Sequence, residues 1–463
     1  MIKYKDILNL KQSTIINPEK LNKNGFSGVS IDSRKINANE IFIAIEGENS
    51  DGHDYIKSVF DKKVKLAMVN ESWFEKNKNK FRNKSFIIVK NTTLSLGQLA
   101  KEHKKNFAIP VFCIGGSNGK TSTKDLTASV LSQKFNVLNN EGNFNNHIGL
   151  PLTLLKLNKK HDFCLLEAGS NHFNELNYLC DIAEPDFGLV TNIGREHLEF
   201  FKNLDGVAKE EFTLYNYLIN EKHGTCFANL DDKYVRKYFS KTKYQNIFSY
   251  SYNFDSDVKG KITEFTGNFE PVIELRYNKK SFKTKIATFG LHSIFNGIAA
   301  ASVGLFFGLS IKQIKDGLTN FKSMSSKRME VNNNNGVTII NDAYNSNPES
   351  VRLGLATMKK YKSKGKKHIV LADMLEIGKI SGKVHSEVGK LVKHMKFENL
   401  YTFGEYAYDI FKNAKGVKNS FYFKSKNELS DFLKLIVKKG DVVYVKGSRG
   451  MKMEEVVNSL LIN

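Results

Sequence analysis

The 463-residue sequence lacks any apolar run that approaches the ~20 residues needed to cross a membrane. Its first residues, from Met1 to Asp6, contain no apolar core of a signal peptide. Heptads, tandem repeats and long low-complexity linkers are also missing. These absences argue against membrane-spanning, secreted and repeat proteins, and we expect a cytoplasmic globular protein.

Cysteine is scarce, with four residues in the whole chain. Cys113, Cys164, Cys180 and Cys226 have no paired spacing, and two of them lie in apolar runs typical of buried strands. Zinc sites and disulfide frameworks need cysteines at characteristic paired spacings. We therefore predict reduced thiols in the core, and neither a zinc site nor a disulfide framework.

Acidic residues are fewer than basic ones. The chain has 48 Asp and Glu and 70 Lys and Arg, which gives a net charge of +22. This excess raises the alternative of a nucleic-acid-binding protein. The lysines, however, occur in dispersed runs interleaved with asparagine or serine, such as Lys76–Lys80 and Lys362–Lys367. A nucleic-acid groove would show clustered arginine and interleaved aromatic residues. A solvated basic surface that steers anionic nucleotides inward explains the pattern better.

What is present is the composition of a soluble globular protein, with 41% hydrophobic and 25% charged residues. A chain of this length suggests about three domains of ~150 residues, each able to bury a core. Short strands within residues 1–89 indicate a small α/β domain. Strands alternate with helices in residues 90–321 and again in 322–463. The predicted fold class is therefore α/β, with a central parallel-sheet domain and a Rossmann-like C-terminal domain.

The most informative stretch is the glycine-rich segment after the apolar run Val111–Ile114. Gly116 and Gly119 let the backbone curl with its N–H groups inward, and we expect a helix from Ser122 towards Gln133. This order of strand, loop and helix is what a triphosphate site requires, and it predicts ATP binding. The loop residues expected to contact ATP are Gly116, Ser117, Asn118, Gly119, Lys120, Thr121 and Ser122.

Within this loop, Lys120 is expected to reach the β and γ phosphates, and Thr121 to ligate Mg²⁺. The strict P-loop pattern has a glycine five residues before Gly119, where this chain has Ile114. A chance Gly-Lys-Thr in a surface turn is the alternative, but the strand before it and the helix after it weigh against that. Glu167 ends another apolar strand and fits a magnesium ligand opposite the loop, or else a carboxylate that caps a helix.

The segment Gly116–Thr121 resembles the phosphate loop of the Mur ligases, the ATP-dependent enzymes that build the peptide of bacterial peptidoglycan. Motifs resembling that family follow in the same order along nearly the whole chain. They are Asp32–Lys35, Gly142–Pro151, Glu167–His172, Asn192–His197, Gly290–Ala301, Asn341–Pro348, Ala372–Gly378 and Lys446–Glu455. Asp-Ser-Arg and Lys-Gly-Ser-Arg indicate the branch that adds D-alanyl-D-alanine to UDP-N-acetylmuramoyl-tripeptide.

The resemblance implies an acid–D-amino-acid ligase that uses ATP and Mg²⁺ and activates a peptide carboxylate as an acyl phosphate. It implies catalytic roles for Lys120, His197 and Arg328, and metal-ligand roles for Thr121, Glu167 and His197. The nucleotide contacts that it implies beyond the loop come from Asn296, Arg328, Asp342 and Asn345.

The resemblance also assigns the two substrates. UDP-N-acetylmuramoyl-tripeptide is expected to bind with its UDP end on the N-terminal domain, and D-alanyl-D-alanine is the expected second substrate, whose amine attacks the activated carbonyl. The enzyme is expected to be a monomer without a nucleic-acid partner or membrane insertion. The implied substrate contacts are Ser33, Arg34, Asn143, Asn145, Asn146, Asn171, His172, Tyr344, Lys446, Ser448 and Arg449.

One position departs from the family pattern. Most Mur ligases carry a carbamylated lysine fourteen residues after the metal-ligand histidine, and counting from His197 places Glu211 there. The glutamate already carries a carboxylate for a second Mg²⁺, although it ends roughly 4 Å short of a carbamate. It would therefore act through water or draw the metal inward. The alternative is an exposed helical glutamate, with the second metal held otherwise.

Two other functions compete with this interpretation. A folylpolyglutamate-type or another Mur-type ligase would share the phosphate loop but lack the runs Asp342–Asn347 and Lys446–Arg449 together. A basic P-loop NTPase acting on nucleic acid would fit the net charge and show ATPase activity stimulated by DNA or RNA.

Overall fold

The computed structural model describes residues 1–322 and 327–461. Three sheets, each flanked by helices, confirm the α/β class and the three-domain architecture. The sheets lie within residues 13–89, 111–285 and 330–446, and the domain boundaries at 89/90 and 321/322 stay predictions. No helix in the described ranges is long and apolar enough to span a bilayer.

The N-terminal domain contains five strands and three α-helices. They are α1 (Tyr4–Leu8), β1 (Ser13–Ile16), β2 (Gly28–Ser30), β3 (Glu40–Ile43), α2 (Ile56–Asp61), β4 (Leu66–Asn70), α3 (Glu71–Asn77) and β5 (Ser85–Val89). The sheet order is β1-β5-β4-β3-β2, and only β1 runs antiparallel to its neighbour. The apolar residues of β3 and β4 are fully buried because both faces of the sheet are covered.

The central domain has nine strands and ten α-helices. The elements up to the middle of the domain are α4 (Thr92–Lys104), β6 (Val111–Gly115), α5 (Lys120–Leu131), β7 (Val137–Asn139), α6 (Gly149–Leu154), β8 (Phe163–Glu167), α7 (Glu175–Ala183), β9 (Phe187–Val190), α8 (Leu198–Phe201), α9 (Leu204–Glu211) and α10 (Thr213–Tyr217). The remaining elements are β10 (Thr225–Asn229), α11 (Lys233–Phe239), β11 (Ile247–Ser251), β12 (Val258–Phe265), β13 (Pro271–Tyr277), β14 (Lys280–Lys285), α12 (His292–Phe306) and α13 (Ile311–Thr319).

The central sheet has the order β14-β13-β12-β11-β10-β9-β6-β8-β7, parallel from β12 to β7 and antiparallel at β13 and β14. All five residues of β6 are buried, which explains its uninterrupted apolar sequence. The four cysteines are buried and unpaired, as predicted. Burial raises the pKa of Cys164 and of Cys226 to about 12, so these thiols stay protonated and unreactive at neutral pH.

The described residues of the C-terminal domain form six strands and five α-helices. They are β15 (Glu330–Asn334), β16 (Val337–Asp342), α14 (Pro348–Lys360), β17 (Lys367–Ala372), α15 (Ser381–His394), β18 (Asn399–Phe403), α16 (Ala407–Asn413), β19 (Asn419–Phe423), α17 (Lys426–Ile436), β20 (Val442–Lys446) and α18 (Glu454–Leu461). The sheet order is β15-β16-β20-β17-β18-β19, with only β15 antiparallel. Ligands of such sheets bind at the carboxyl ends of the strands, and those ends of β16 and β20 face the central domain.

Candidate active site

The loop after β6 turns sharply before α5 begins at Lys120. Gly116 has φ 109° and Gly119 has φ 79°, in the left-handed region that favours glycine. Space requires glycine as well, because a Cβ on Gly116 would lie 2.3 Å from Oγ1 of Thr191. A Cβ on Gly119 would lie 2.7 Å from Oδ1 of Asn296. The two glycines therefore set the loop conformation and seat it against neighbouring elements.

The segment that follows β9 holds the loop in place. The Ser117 N–H donates to the carbonyl of Asn192 at 2.8 Å, and the Asn118 N–H donates to Asn192 Oδ1 at 3.1 Å. Asn192 Nδ2 donates in return to the carbonyl of Asn118 at 2.8 Å. The Gly194 N–H donates to Ser117 Oγ at 2.8 Å. The sequence analysis included Asn192 in the motif Asn192–His197 but assigned it no role in the site.

Lys120 is the cation of the loop. Its ammonium donates to the carbonyl of Gly116 and lies 3.4 Å from Oε2 of Glu196. Burial alone would lower the pKa of Lys120, but the carboxylates of Glu196, Glu211 and Glu167 outweigh it and raise that pKa. The side chain therefore remains charged at neutral pH, as phosphate binding requires.

Glu196 is a site residue that the sequence analysis missed. It is buried in the cavity wall, and its Oε1 has no hydrogen-bond partner within the part of the chain that the structure describes. Its neighbour His197 had been singled out, so the available signal was membership of the same polar run after β9. A buried carboxylate beside Lys120 helps to fix the lysine and leaves one oxygen free for a ligand.

Glu167 ends β8 and points into the same cavity. Its Oε1 accepts a hydrogen bond from Nδ2 of Asn145 at 2.7 Å. Its Oε2 is buried and has no partner among the described residues. A carboxylate oxygen that is buried without a donor fits a hard cation, and the hydroxyl residue Thr121 lines the same cavity.

His197 meets the C-terminal domain. Its Nδ1 lies 2.6 Å from Oε2 of Glu376, within ion-pair distance. Burial lowers the pKa of His197, but contact with Glu376 and the charge of Glu196 outweigh burial and raise it. Metal ligation needs a neutral imidazole, so ligation by His197 would replace this ion pair.

Glu211 lies behind the phosphate loop, at the end of α9. It is 1% exposed, so the alternative of an exposed helical glutamate is wrong. Its Oε2 accepts the Gly116 N–H at 2.5 Å. Burial raises the pKa of Glu211 to about 7, opposed by the charge of Lys120 and helped by that of Glu196. Its carboxylate supports the loop, and its role as a metal ligand stays a prediction.

The C-terminal domain contributes a second set of polar residues. Lys446 Nζ donates to Oδ2 of Asp342 at 2.8 Å and to the carbonyl of Asn345 at 2.9 Å. The guanidinium of Arg328 stacks on the Tyr344 ring, 4.1 Å from its centroid. Because its own donors hold Asp342 and Asn345 in place, Lys446 orders this wall of the cavity.

Direct contacts join the two domains across the loop. Asn347 Nδ2 donates to Oδ1 of Asn118 at 2.8 Å, which ties the C-terminal domain to the phosphate loop itself. Arg195 Nε lies 2.8 Å from Oε1 of Glu349, and its Nη1 lies 3.0 Å from Oε2 of Glu387. The central and C-terminal domains are therefore already in contact around the site.

A cavity of about 840 Å³ lies between these two domains. It unites most of the residues predicted from the sequence: Ser117, Asn118, Gly119, Lys120, Thr121, Ser122, Asn145, Asn146, Glu167, Asn171, His197, Asn296, Arg328, Asp342, Tyr344, Asn345 and Lys446. Eight other predicted residues do not line it: Gly116, Ser33, Arg34, Asn143, His172, Ser448, Arg449 and Glu211.

Some of these eight residues have structural partners of their own. Ser448 Oγ accepts the Leu375 N–H at 2.8 Å, and Arg449 is largely exposed with Nη1 3.5 Å from Glu454 Oε1. Arg34 is 86% exposed and pairs with Asp32 at 2.9 Å, which holds the pKa of Asp32 at about 2. Arg34 therefore belongs to a separate surface on the N-terminal domain.

No group of three or more His, Cys, Asp or Glu side chains across the described ranges could hold a metal ion unaided. Mg²⁺ commonly uses one or two carboxylates, with phosphate oxygens and water completing its shell. Glu167 and Glu196, with their unpartnered oxygens, fit that pattern beside Thr121 and a bound triphosphate.

The phosphate loop lies at a strand end, and its conformation depends on two glycines. A second α/β domain that carries Arg328 and Lys446 covers it. Together these features define an enzyme that uses a nucleoside triphosphate. Comparisons agree with this class. Residues 25–104 match the model described as Mur ligase family, catalytic domain, residues 114–304 match the Mur ligase middle domain, and residues 327–449 match the Mur ligase, glutamate ligase domain.

Two similar proteins are named UDP-N-acetylmuramoyl-tripeptide--D-alanyl-D-alanine ligase. That of Bacillus subtilis is 30% identical over 466 residues, which covers 99% of this chain and 98% of that protein. That of Escherichia coli is 30% identical over 445 residues and covers 94% of each. The chain therefore belongs to the Mur ligase family, and the resemblance inferred from its motifs is confirmed.

Solved structures agree in fold. MurF from Acinetobacter baumannii superimposes with a TM-score of 0.89 at 24% identity, over 100% of this chain and 99% of that one. MurF ligase from Thermotoga maritima in complex with ADP gives a TM-score of 0.81 at 25% identity, over 94% of this chain and 96% of that one.

Proposed function

We propose that this protein is an ATP-dependent ligase that joins D-alanyl-D-alanine to UDP-N-acetylmuramoyl-tripeptide in peptidoglycan precursor synthesis. The relatives from B. subtilis and E. coli are named for this reaction and align along nearly their whole length. The observation that carries the proposal is the single cavity in which the phosphate loop meets Arg328, Asp342 and Lys446.

ATP serves to activate a carboxylate, which is otherwise a poor acyl donor. Transfer of the γ-phosphoryl group to an oxygen of the tripeptide carboxylate gives an acyl phosphate and ADP. The amine of D-alanyl-D-alanine then attacks the carbonyl carbon and forms the C–N bond. The C–O bond breaks, phosphate leaves with its electron pair, and the nitrogen loses a proton. Lys120 and Arg328 offset the negative charge on the transferring phosphoryl group. The ADP complex of the T. maritima relative supports nucleotide use.

The loop residues and Asn296 hold the nucleotide in this proposal, with Asp342 and Asn345 contributing from the other domain. Thr121, Glu167 and His197 are the proposed magnesium ligands, with Glu211 behind them. Bound Mg²⁺ would supply positive charge that offsets the negative charge developing on the phosphate oxygens. The unpartnered Oε2 of Glu167 supports this assignment.

The substrates occupy different parts of the protein. Ser33 and Arg34 are proposed to contact the UDP end, while the asparagine-rich loop and Asn171 face the peptide. Tyr344, Lys446, Ser448 and Arg449 are proposed to hold the dipeptide. Contacts such as Asn347 to Asn118 support an active site that is complete only with both domains in place, which protects the acyl phosphate from water.

The test is phosphate release from ATP coupled to detection of the amide product. UDP-muramoyl-tripeptides with different diamino acids at position three are supplied with D-alanyl-D-alanine, and a polynucleotide serves as the control. We expect amide, ADP and phosphate with a tripeptide substrate, and low ATP hydrolysis when either acceptor is omitted. Stimulation by the polynucleotide alone would instead support an NTPase. Mass analysis in solution checks the expected monomeric state.

A further inference from the structure

A buried asparagine stands behind the strand end that carries Glu167. Asn140 follows directly after β7 and is 1% exposed. Its Oδ1 accepts the Glu167 N–H at 2.8 Å, and its Nδ2 donates to the Glu167 carbonyl at 2.8 Å. Because β7 ends at Asn139, the side-chain amide of Asn140 continues the pairing with β8 beyond the last backbone pair. The main chain of Glu167 is held on both its donor and its acceptor.

The same amide fixes the loop that approaches the Glu167 side chain. Asn140 Nδ2 also donates to the carbonyl of Phe144 at 2.9 Å. The next residue, Asn145, donates from Nδ2 to Glu167 Oε1 at 2.7 Å, and its carbonyl accepts the Gly169 N–H at 2.9 Å. These bonds turn one carboxylate oxygen towards Asn145 and leave Oε2 facing the cavity without a partner among the described residues.

Asn140 is itself tied to the phosphate helix. Lys124 lies one turn after Lys120 on α5, is buried, and donates from Nζ to the Asn140 carbonyl at 2.5 Å. The Lys124 ammonium is also 3.0 Å from Oδ1 of Asp125. A single residue therefore links the helix that begins at the phosphate loop with the strand end that carries the carboxylate.

We propose that Asn140 is a positioning residue that fixes Glu167 relative to the phosphate loop, with Lys124 as its link to α5. This rests on the proposed function, in which Glu167 faces the magnesium of the bound nucleotide. An amide is required because the site needs one acceptor and two donors at once. The partners of metal-ligating groups set ligand orientation, and their loss typically costs about tenfold to a hundredfold in metal affinity.

The test measures ADP affinity by calorimetry with and without Mg²⁺, on the full-length protein. In Asn140→Ala we expect the gain in ADP affinity from Mg²⁺ to shrink about tenfold or more, with metal-free affinity unchanged. Asn140→Ser, which keeps one hydroxyl, should lie between Ala and wild type and supplies the measurement if the alanine variant does not fold. An equal loss of metal-free affinity would overturn the proposal.

The matched control is Asn399→Ala, at the start of β18. Asn399 is also a buried amide, donating to the Lys367 carbonyl at 3.1 Å and accepting from Asn419 at 2.8 Å. Its loss should lower the unfolding temperature about as much as Asn140→Ala does. It should leave the increase in ADP affinity caused by Mg²⁺ unchanged. A reduced gain in Asn399→Ala would show that general destabilisation explains the result and would refute the role of Asn140.

A double-mutant cycle with Glu167→Gln identifies the route of the effect. If Asn140 acts through the carboxylate, Asn140→Ala adds little to the loss already caused by Glu167→Gln, whereas additive losses contradict the proposal. Amide formation by the wild-type protein is measured alongside. Its absence would refute the proposed function, while normal amide formation together with additive losses would refute only the role of Asn140.

Discussion

The two walls of the cavity differ in charge. On the central-domain side, the phosphate-loop cation Lys120 is surrounded by Glu167, Glu196 and the deeper Glu211. The C-terminal wall presents Arg328, Arg352 and Lys446, and its carboxylates Asp342 and Glu349 are already paired with Lys446 and Arg195. Two carboxylate oxygens of the first wall have no donor among the described residues, so that wall needs a cation, whereas the second suits anions. In the proposed reaction, a metal ion with phosphate would lie against the first wall and the transferring phosphoryl group against the second.

The largest effect is expected at Lys120, the cation of the phosphate loop. Lys120→Ala should abolish amide formation, because the ammonium that offsets the phosphate charge is removed. We expect the turnover rate to fall about 10³-fold or more. The variant should still fold, with a lowered unfolding temperature because the buried Glu196 loses its ion-pair partner. Lys57→Ala, at an exposed lysine paired with Asp61, is the control. Retained turnover in a folded Lys120→Ala variant would contradict the central assignment.

Substitutions in the C-terminal wall should lower kcat more than they weaken substrate binding. Arg328→Lys keeps a positive charge but loses the guanidinium stacked on Tyr344, and we expect turnover to fall about 10²-fold. Asp342→Asn should act in the same direction because it disrupts the bond to Lys446. Titration with UDP-N-acetylmuramoyl-tripeptide alone should be nearly unchanged. Equal losses in binding and turnover would mean that this wall also holds the UDP-linked substrate.

Substitution of Glu211 on the central-domain side distinguishes metal ligation from support of the phosphate loop. As a metal ligand, Glu211→Ala should lower turnover about tenfold to a hundredfold, with partial recovery at higher Mg²⁺. Activity should not respond to bicarbonate, because no lysine is carbamylated at this position. Glu210→Ala is the control, since Glu210 accepts the N–H groups of Asn174 and Leu176 and has a structural role. A loss that Mg²⁺ cannot relieve would assign Glu211 to loop support alone.

The pH dependence of the free energy of unfolding tests the protonation state of Glu211. The folded-state pKa of Glu211 is about 7, above the ordinary value of 4.5, so the folded protein holds this proton more tightly than the unfolded chain. The stabilising contribution is complete below pH 4.5 and is lost as pH rises through about 7. Glu211→Gln should remove that loss, on the order of 1–3 kcal/mol, in chemical unfolding of the nucleotide-free protein. Parallel pH profiles would contradict the raised pKa.

Local signals revealed part of this site and not the rest. The phosphate loop and Glu167 were predictable because glycine spacing and strand ends are readable within a few residues. Asn192 and Glu196 were missed because their roles depend on how β9 lies beside β6, which no local pattern specifies. The contact between Asn118 and Asn347 joins residues 229 positions apart, and only the folded chain shows it.

The resemblance to the Mur ligases supplied what local patterns could not, including the placement of Arg328 and Asp342 opposite the loop. It also named residues that the structure places outside the cavity. Arg449 belongs to a motif that matched well, yet its side chain is largely exposed and lies near Glu454. A motif identifies a segment, but the direction of each side chain depends on packing against other elements.

The smallest effect on the fold is expected outside both walls, at the exposed pair of Arg34 and Asp32. Arg34→Ala should leave the unfolding temperature at pH 7 unchanged, because a solvated pair contributes little. The pKa of Asp32 should rise from about 2 towards 3.8, which carboxyl NMR titration measures. Affinity for the UDP-linked substrate should fall while ADP affinity stays constant. Unchanged affinity for both would leave Arg34 as a partner of Asp32 alone and move the UDP-binding surface elsewhere on the N-terminal domain.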